Sequence, residues 1–229
     1  MTPGEFRLRV TYGKRGRLRW LSHLELLRAL ERIIRRSGLQ YAVTQGFHPH
    51  LKAAFGPALP VGTAGENEYF DVWLKMYTGP QEALERLSAA APPDLRIVEV
   101  RYAGDREPSL TAALVIARYR CHVRGEEVDG EVLHAALVQL LEDGTLKVEH
   151  KGKTKVFDLA RSLPKEPRVE VVEGETFIEM VVRMGPEGSL RPEQLVNAAL
   201  SKAGIHASAV RTTRLDTLLE NEGGWSRPV

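Results

Sequence analysis

The stretch Phe6-Arg7-Leu8-Arg9-Val10-Thr11-Tyr12 alternates apolar and polar side chains, the two-residue period of a half-buried strand. A basic turn with two glycines follows, from Lys14 to Arg19. Ser22-His23-Leu24-Glu25 then carries the capping-box pattern, in which a Ser oxygen and a Glu carboxylate satisfy the first exposed N–H groups of a helix. Leu26, Leu27, Leu30, Ile33 and Ile34 fall on one face of that helix, and Arg28, Arg32, Arg35 and Arg36 on the other. Gly38 is placed to end it. A strand followed by a helix with one apolar and one cationic side predicts a helix packed on a sheet.

Working outward, Leu39 to Thr44 reads as a second strand, and Gln45 to Asn67 as a long loop punctuated by Gly and Pro. Glu68 to Leu74 reads as a strand, Pro80 to Ala90 as a helix stopped by Pro92-Pro93, and Leu95 to Tyr102 as a fourth strand. The order βαββαβ is the ferredoxin-like arrangement. After a linker at Gly104 to Pro108 the pattern recurs more loosely. Leu114 to Val123 is strand-like, Val128 to Glu142 helical, and short strands are expected at Leu146 to Glu149 and Lys155 to Leu159. A hairpin is expected around Glu173-Gly174-Glu175-Thr176, then a helix from Pro192 to Ala203 and a strand from Ala209 to Leu215. The expected fold is α+β: two tandem ferredoxin-like domains, 1–104 and 109–217, the second with an insertion, and a flexible tail at 218–229.

The chain has 229 residues, of which 43% are hydrophobic and 27% charged, the balance of a folded globular protein. No apolar run is long enough to span a bilayer, and the first residues lack the apolar core of a signal peptide, so no membrane association and a cytoplasmic location are expected. A single cysteine, Cys121, excludes an internal disulfide and a cysteine-based zinc or iron–sulfur site within one chain. Charge is unevenly spread. Residues 1–55 hold eleven Lys/Arg against three acids, a net +8, while the remainder holds 21 bases and 27 acids, a net −6. Such asymmetry points to an anionic partner met by the N-terminal part: RNA, a phosphate-bearing ligand or an acidic protein.

The chemistry-bearing residues concentrate there too. Gln45-Gly46-Phe47-His48-Pro49-His50 sets two imidazoles on either side of a stiffening proline. Gly46, Phe47, His48, Pro49 and His50 are candidate ligand or nucleic-acid contacts. A metal is not expected: His23, Glu66 and Glu68 could complete a ligand set with the loop, but the spacing matches no strong metal motif. Lys14, Arg15, Arg17 and Arg19 precede the positive end of a helix and form a candidate phosphate cradle, without the Gly-Lys-Ser/Thr ending of a nucleotide P-loop. Arg28, Arg32 and Arg35 form a candidate RNA-facing stripe, and Trp20, Tyr41 and Phe47 could stack on bases. His23 and His50 are the only candidates for catalytic acid and base, should the chain be an enzyme. The second half has only scattered histidines and reads as structural or partner-binding.

Leu18-Arg19-Trp20-Leu21-Ser22-His23-Leu24-Glu25-Leu26-Leu27-Arg28, Arg35-Arg36-Ser37-Gly38-Leu39, Gln45 to His50, Pro57-Ala58-Leu59-Pro60-Val61-Gly62 and Glu68-Tyr69-Phe70-Asp71-Val72 together resemble the radical-SAM-linked family of uncharacterised bacterial proteins. The likeness is densest over residues 5–75. The family pattern carries Asn where this chain has His48 and Pro where it has Leu51, which moves weight from His48 to His23, Gly46, Pro49 and His50. The resemblance implies a radical SAM protein as partner. The single cysteine cannot hold the three-cysteine cluster such enzymes use, so this chain is expected to be a non-redox, cofactor-free accessory module that presents a substrate, RNA being the expected one. The alternatives are a metal-independent endoribonuclease using His23 and His50, and a protein–protein adaptor that binds no nucleic acid.

Overall fold

A computed structural model of the chain describes residues 4–104, 106–125, 128–150, 152–185 and 188–228. It divides into two compact units, one running to Leu114 and resuming at Leu218, the other spanning Val115–Thr217. The fold is mixed α+β, with mostly antiparallel strand pairing.

The first unit contains β1 (Phe6–Lys14), α1 (His23–Arg36), β2 (Ala53–Phe55), β3 (Ala64–Leu74), α2 (Pro80–Ala90), β4 (Leu95–Tyr102) and a short α3 (Leu110–Ala113). β1 is central. It pairs antiparallel with β3, Phe6 opposite Leu74 and Lys14 opposite Gly65, and with β4, Leu8 opposite Tyr102. β2 pairs with the far side of β3, Ala53 opposite Val72. The order is therefore β4-β1-β3-β2. Leu8, Val10 and Tyr12 of β1 meet Leu26, Leu30, Ile33 and Ile34 of α1, together with Phe70, Val72, Ala83 and Leu87. Each fully buried aliphatic side chain of this set contributes about 1.5–3 kcal/mol.

The helix starts as its capping box dictates. The Ser22 hydroxyl accepts from the Glu25 amide at 3.4 Å, and the Ser22 amide donates to the Glu25 carboxylate at 2.8 Å. That hydrogen-bonded hydroxyl pulls the Glu25 carboxyl below its ordinary range. Gly38 follows the helix at φ +71°, the left-handed conformation that stops it.

The expected second strand, Leu39 to Thr44, does not form. It makes only two isolated bridges, Tyr41 with Leu74 and Val43 with Leu51. It lies beside the end of β3, with the Ala42 amide donating to the Trp73 carbonyl and the Lys75 amide to the Gln40 carbonyl, but its buried positions are Leu39 and Ala42, three apart instead of two, and the pairing does not extend into a ladder. The edge position passes to β2, inside the stretch expected to be loop.

The second unit contains most of β5 (Leu114–Arg124), then α4 (Gly130–Glu142), β6 (Thr145–His150), β7 (Lys153–Asp158), α5 (Leu159–Ser162), β8 (Lys165–Val172), β9 (Glu175–Arg183), α6 (Pro192–Ala203) and the first part of β10 (Ala209–Asn221). Its strands run in the order β10-β5-β9-β8, and β6 and β7 pair with each other in a separate two-stranded sheet. β8 and β9 are joined by Glu173 and Gly174, both at positive φ, the two-residue turn that matches strand twist. Leu133, Leu137, Ile178, Met180, Leu195 and Val196 fill its core. Cys121 is buried there, and burial pushes its thiol up to about 12, which makes it inert near neutral pH.

Two boundaries differ from the expected ones. The 104–108 segment is no free linker: the carbonyls of Glu107 and Pro108 accept from Arg7 at 2.8 and 3.0 Å, and the first unit continues to Leu114. The expected tail at 218–229 begins inside β10. β11 (Gly224–Ser226) folds back on β10, Leu219 opposite Ser226, and this segment belongs to the first unit. The strand expected to end at Leu215 runs on, and Asp216 is a buried strand residue paired with Arg118 at 3.4 Å.

Candidate nucleic-acid interface

At 100° per residue, Arg28, Arg32 and Arg35 fall within about 60° of one another on α1. All three are exposed, as is Arg36 beside them, while Leu26, Leu30, Ile33 and Ile34 take the buried side. The row continues into the loop. The Arg35 guanidinium lies 6.0 Å from the centre of the Tyr41 ring, a cation–π contact that ties the last turn of α1 to the segment entering the loop.

The loop is closed at its neck and open at its tip. The Thr44 amide donates to the His50 carbonyl at 2.8 Å, and the His50 amide donates to the Thr44 hydroxyl at 3.0 Å. Between them Gly46 sits at φ +132°, which disfavours any side chain. Gly46, Phe47, His48, Pro49 and His50 are all exposed, and Phe47 is exposed in full. A phenylalanine held in water on a pinched loop has no packing role in the folded chain, and its ring is available for stacking.

The basic turn before α1 reads differently from expectation. Lys14 is fully buried and donates to the Arg19 carbonyl at 3.4 Å, so it is removed from any surface site. The turn's backbone donors are taken: the Arg15 amide donates to the Asp94 carbonyl and the Arg17 amide to the Asp94 carboxylate, both at 2.9 Å. Gly16, at φ +51°, lies so close that a Cβ there would sit 2.4 Å from Asp94 Oδ2. A carboxylate already fills the place a phosphate would take, so the turn is not a phosphate cradle. Arg15 faces Glu66 at 3.6 Å, and Arg19 donates to the Gly62 carbonyl at 2.6 Å. Trp20 remains 66% exposed beside them.

His23, half-buried in the first turn of α1, and His50 lie toward opposite ends of β3. The Arg19 carbonyl accepts from Gly62, just before β3, whereas the Lys52 carbonyl accepts from Trp73 near its end. The stretch from Gly65 to Trp73 is about 26 Å long at strand rise. The two histidines are not brought together as an acid–base pair. Glu68 is buried and Glu66 faces Arg15, so neither joins the loop histidines. Among the described residues no group of three His, Cys, Asp or Glu is placed to hold a metal ion.

A buried charge cluster escaped the sequence reading. Asp71 is fully buried between Arg7, at 2.6 Å, and Arg9, at 2.8 Å. Arg9 also reaches Glu107 at 2.8 Å, and Arg101 reaches the same carboxylate at 2.6 Å. The Arg101 hydrogen bond holds the Glu107 carboxyl down at about 2. Arg7 and Arg9 therefore neutralise the interior, and Lys52 pairs with Glu5 at 2.5 Å. The exposed part of the N-terminal charge excess is the row on α1, with Arg15 and Arg17 of the basic turn. The available signal was an acidic residue inside an apolar strand, Asp71, facing two arginines spaced i, i+2 on another.

Three solved structures match the chain at low identity and low TM-score. A Cbf5–Nop10–Gar1 complex matches at 13% identity and TM-score 0.45, covering 93% of this chain and 49% of that one. The archaeal box H/ACA sRNP Nop10–Cbf5 complex matches at 13% identity and TM-score 0.41, covering 92% and 47%. An unknown protein from Galdieria sulphuraria matches at 14% identity and TM-score 0.26, covering 93% and 99%. The chain spans about half the length of the first two. No curated protein matches it. Among the described residues no helix is long and apolar enough to cross a membrane. A family description, uncharacterized protein conserved in bacteria (DUF2344), matches residues 7–192, and the chain belongs to that family.

Proposed function

We propose that this chain is a non-redox accessory module that holds RNA for a radical SAM enzyme, and that its two units are tandem ferredoxin-like domains. The observation that carries the RNA reading is the exposed row Arg28, Arg32 and Arg35, continued through Tyr41 to the fully exposed Phe47. Guanidinium groups spaced along one helix face suit successive phosphates, and an exposed ring suits an unpaired base. The imidazoles of His48 and His50 follow Phe47 in the same exposed loop and supply donors for phosphate or base edges. Single-stranded RNA is the substrate class this arrangement favours, because stacking on Phe47 needs a base free of its partner strand.

The radical SAM link rests on the sequence motifs between Leu18 and Val72 that resemble the radical-SAM-linked family. The redox chemistry belongs to that companion, since one buried cysteine cannot anchor a cluster. The test is native purification of the tagged full chain from a bacterium encoding it, with and without nuclease. Co-recovery of RNA and of an iron–sulfur protein, with the RNA lost in Arg28→Glu plus Arg32→Glu, supports the reading. Recovery of the iron–sulfur protein alone, unchanged by nuclease, would replace it with the adaptor reading.

A further inference from the structure

The first unit contains a cavity of about 360 Å³ that the RNA reading does not use. Its polar side is formed by Arg9, Arg101 and Glu107, and its apolar side by Pro108, Leu110, Ala113 and Leu219. Arg227 and Pro228, just past β11, complete it. The volume lies within the range of small-ligand sites.

Charge inside this cluster does not balance. Among the described residues, Arg7, Arg9 and Arg101 face two carboxylates, Asp71 and Glu107, and Arg227 also lines the cavity, so cations outnumber carboxylates there. The exposed Glu99 acts on Arg101 from outside. Within the cavity the remaining donors turn to a neutral acceptor: Arg9 Nη1 donates to the Pro228 carbonyl at 2.9 Å, and Arg101 Nη2 donates to the same oxygen. Two guanidinium donors converging on one oxygen is the geometry of a carboxylate clamp, and a charged acceptor binds it more strongly than an amide carbonyl does.

We infer that the Arg9–Arg101 cavity is a binding site for a small carboxylate with a short apolar chain, and that Pro228 occupies the carboxylate position when the ligand is absent. The carboxylate takes both guanidinium donors, and the apolar body lies along Leu110, Ala113 and Leu219. The 227–228 segment moves aside on entry. An inorganic anion would use the clamp but not the apolar wall.

The experiment titrates the full chain with hexanoate, hexanol and inorganic phosphate, reading heat by calorimetry and backbone amide shifts by NMR. Saturable hexanoate binding at millimolar concentration is expected, with shifts confined to residues 101–113 and 219–228 and no binding of hexanol. Arg101→Gln is expected to weaken it about tenfold or more, the loss of a charge-assisted hydrogen bond. Equal binding of hexanoate and hexanol, phosphate binding tighter than hexanoate, no binding at all, or shifts elsewhere would each overturn the proposal. The wild-type shifts decide the question even if the variant fails to fold. None of these readouts involves RNA, so the result is independent of the proposed function.

Discussion

Arg9 and Asp71 stand opposite each other in the β1–β3 ladder, joined by two hydrogen bonds, Nε to Oδ1 at 2.8 Å and Nη2 to Oδ2 at 3.0 Å. Asp71 also takes two donors from Arg7, at 2.8 and 2.6 Å, and is wholly buried. One carboxylate thus holds two guanidinium groups inside the sheet. Removing it leaves both charges buried without it. Asp71→Ala is expected to destabilise the chain by about 3–5 kcal/mol, measured by urea unfolding. Lys52→Ala, which breaks the partly exposed pair with Glu5, is expected to cost under about 1 kcal/mol.

Glu107 gives the same network a pH dependence. Its carboxyl is lowered from 4.5 to about 2, first by the Arg101 hydrogen bond. A depressed folded-state value means the stabilisation is complete above about pH 4.5 and is lost as pH falls toward 2. Melting temperature followed from pH 6 to pH 2 should therefore fall less steeply in Glu107→Gln than in the wild type. Parallel curves would show that Glu107 is not held this way.

Ser22→Ala removes the hydroxyl that accepts from Glu25 and takes the first turn's cap with it. A loss of about 1 kcal/mol is expected by denaturation. Because α1 carries the arginine row, the same variant should weaken RNA binding only to the extent that the first turn frays.

Phe47→Ala separates stacking from stability. The ring is fully exposed, so the melting temperature should not change. Affinity for single-stranded RNA should drop by about 1–3 kcal/mol for one lost stacked base, as read by fluorescence anisotropy. A duplex of the same sequence should not sense the change.

Much of this was legible from local pattern. The α1 cap, the split of α1 into Leu/Ile and Arg faces, α2, α4, α6 and the Glu173–Gly174 turn all follow from signals within a few residues. The failures were non-local. Nothing near Lys14 says that it will be buried, and nothing near Arg7 and Arg9 says that Asp71, some sixty residues away, will meet them. Leu39, Tyr41 and Val43 alternate as a strand would, but the residues that become buried are Leu39 and Ala42, and β2 is too short to announce itself. Residues beyond Leu218 return to the first unit, where Pro228 meets Arg9, a contact across the length of the chain that no local pattern announces. The arginine row was found from sequence because helical periodicity is itself local. The phosphate cradle was misjudged because Asp94, which fills it, comes from a distant turn.

The most direct test of the account is the salt dependence of single-stranded RNA binding by the wild type and by Arg28→Glu plus Arg32→Glu. Wild-type affinity should fall linearly with salt on a log–log plot, and the double variant should bind more weakly with a slope smaller by about one per lost phosphate contact. Equal affinities and equal slopes for the two proteins, or no RNA binding by the wild type at low salt, would contradict it.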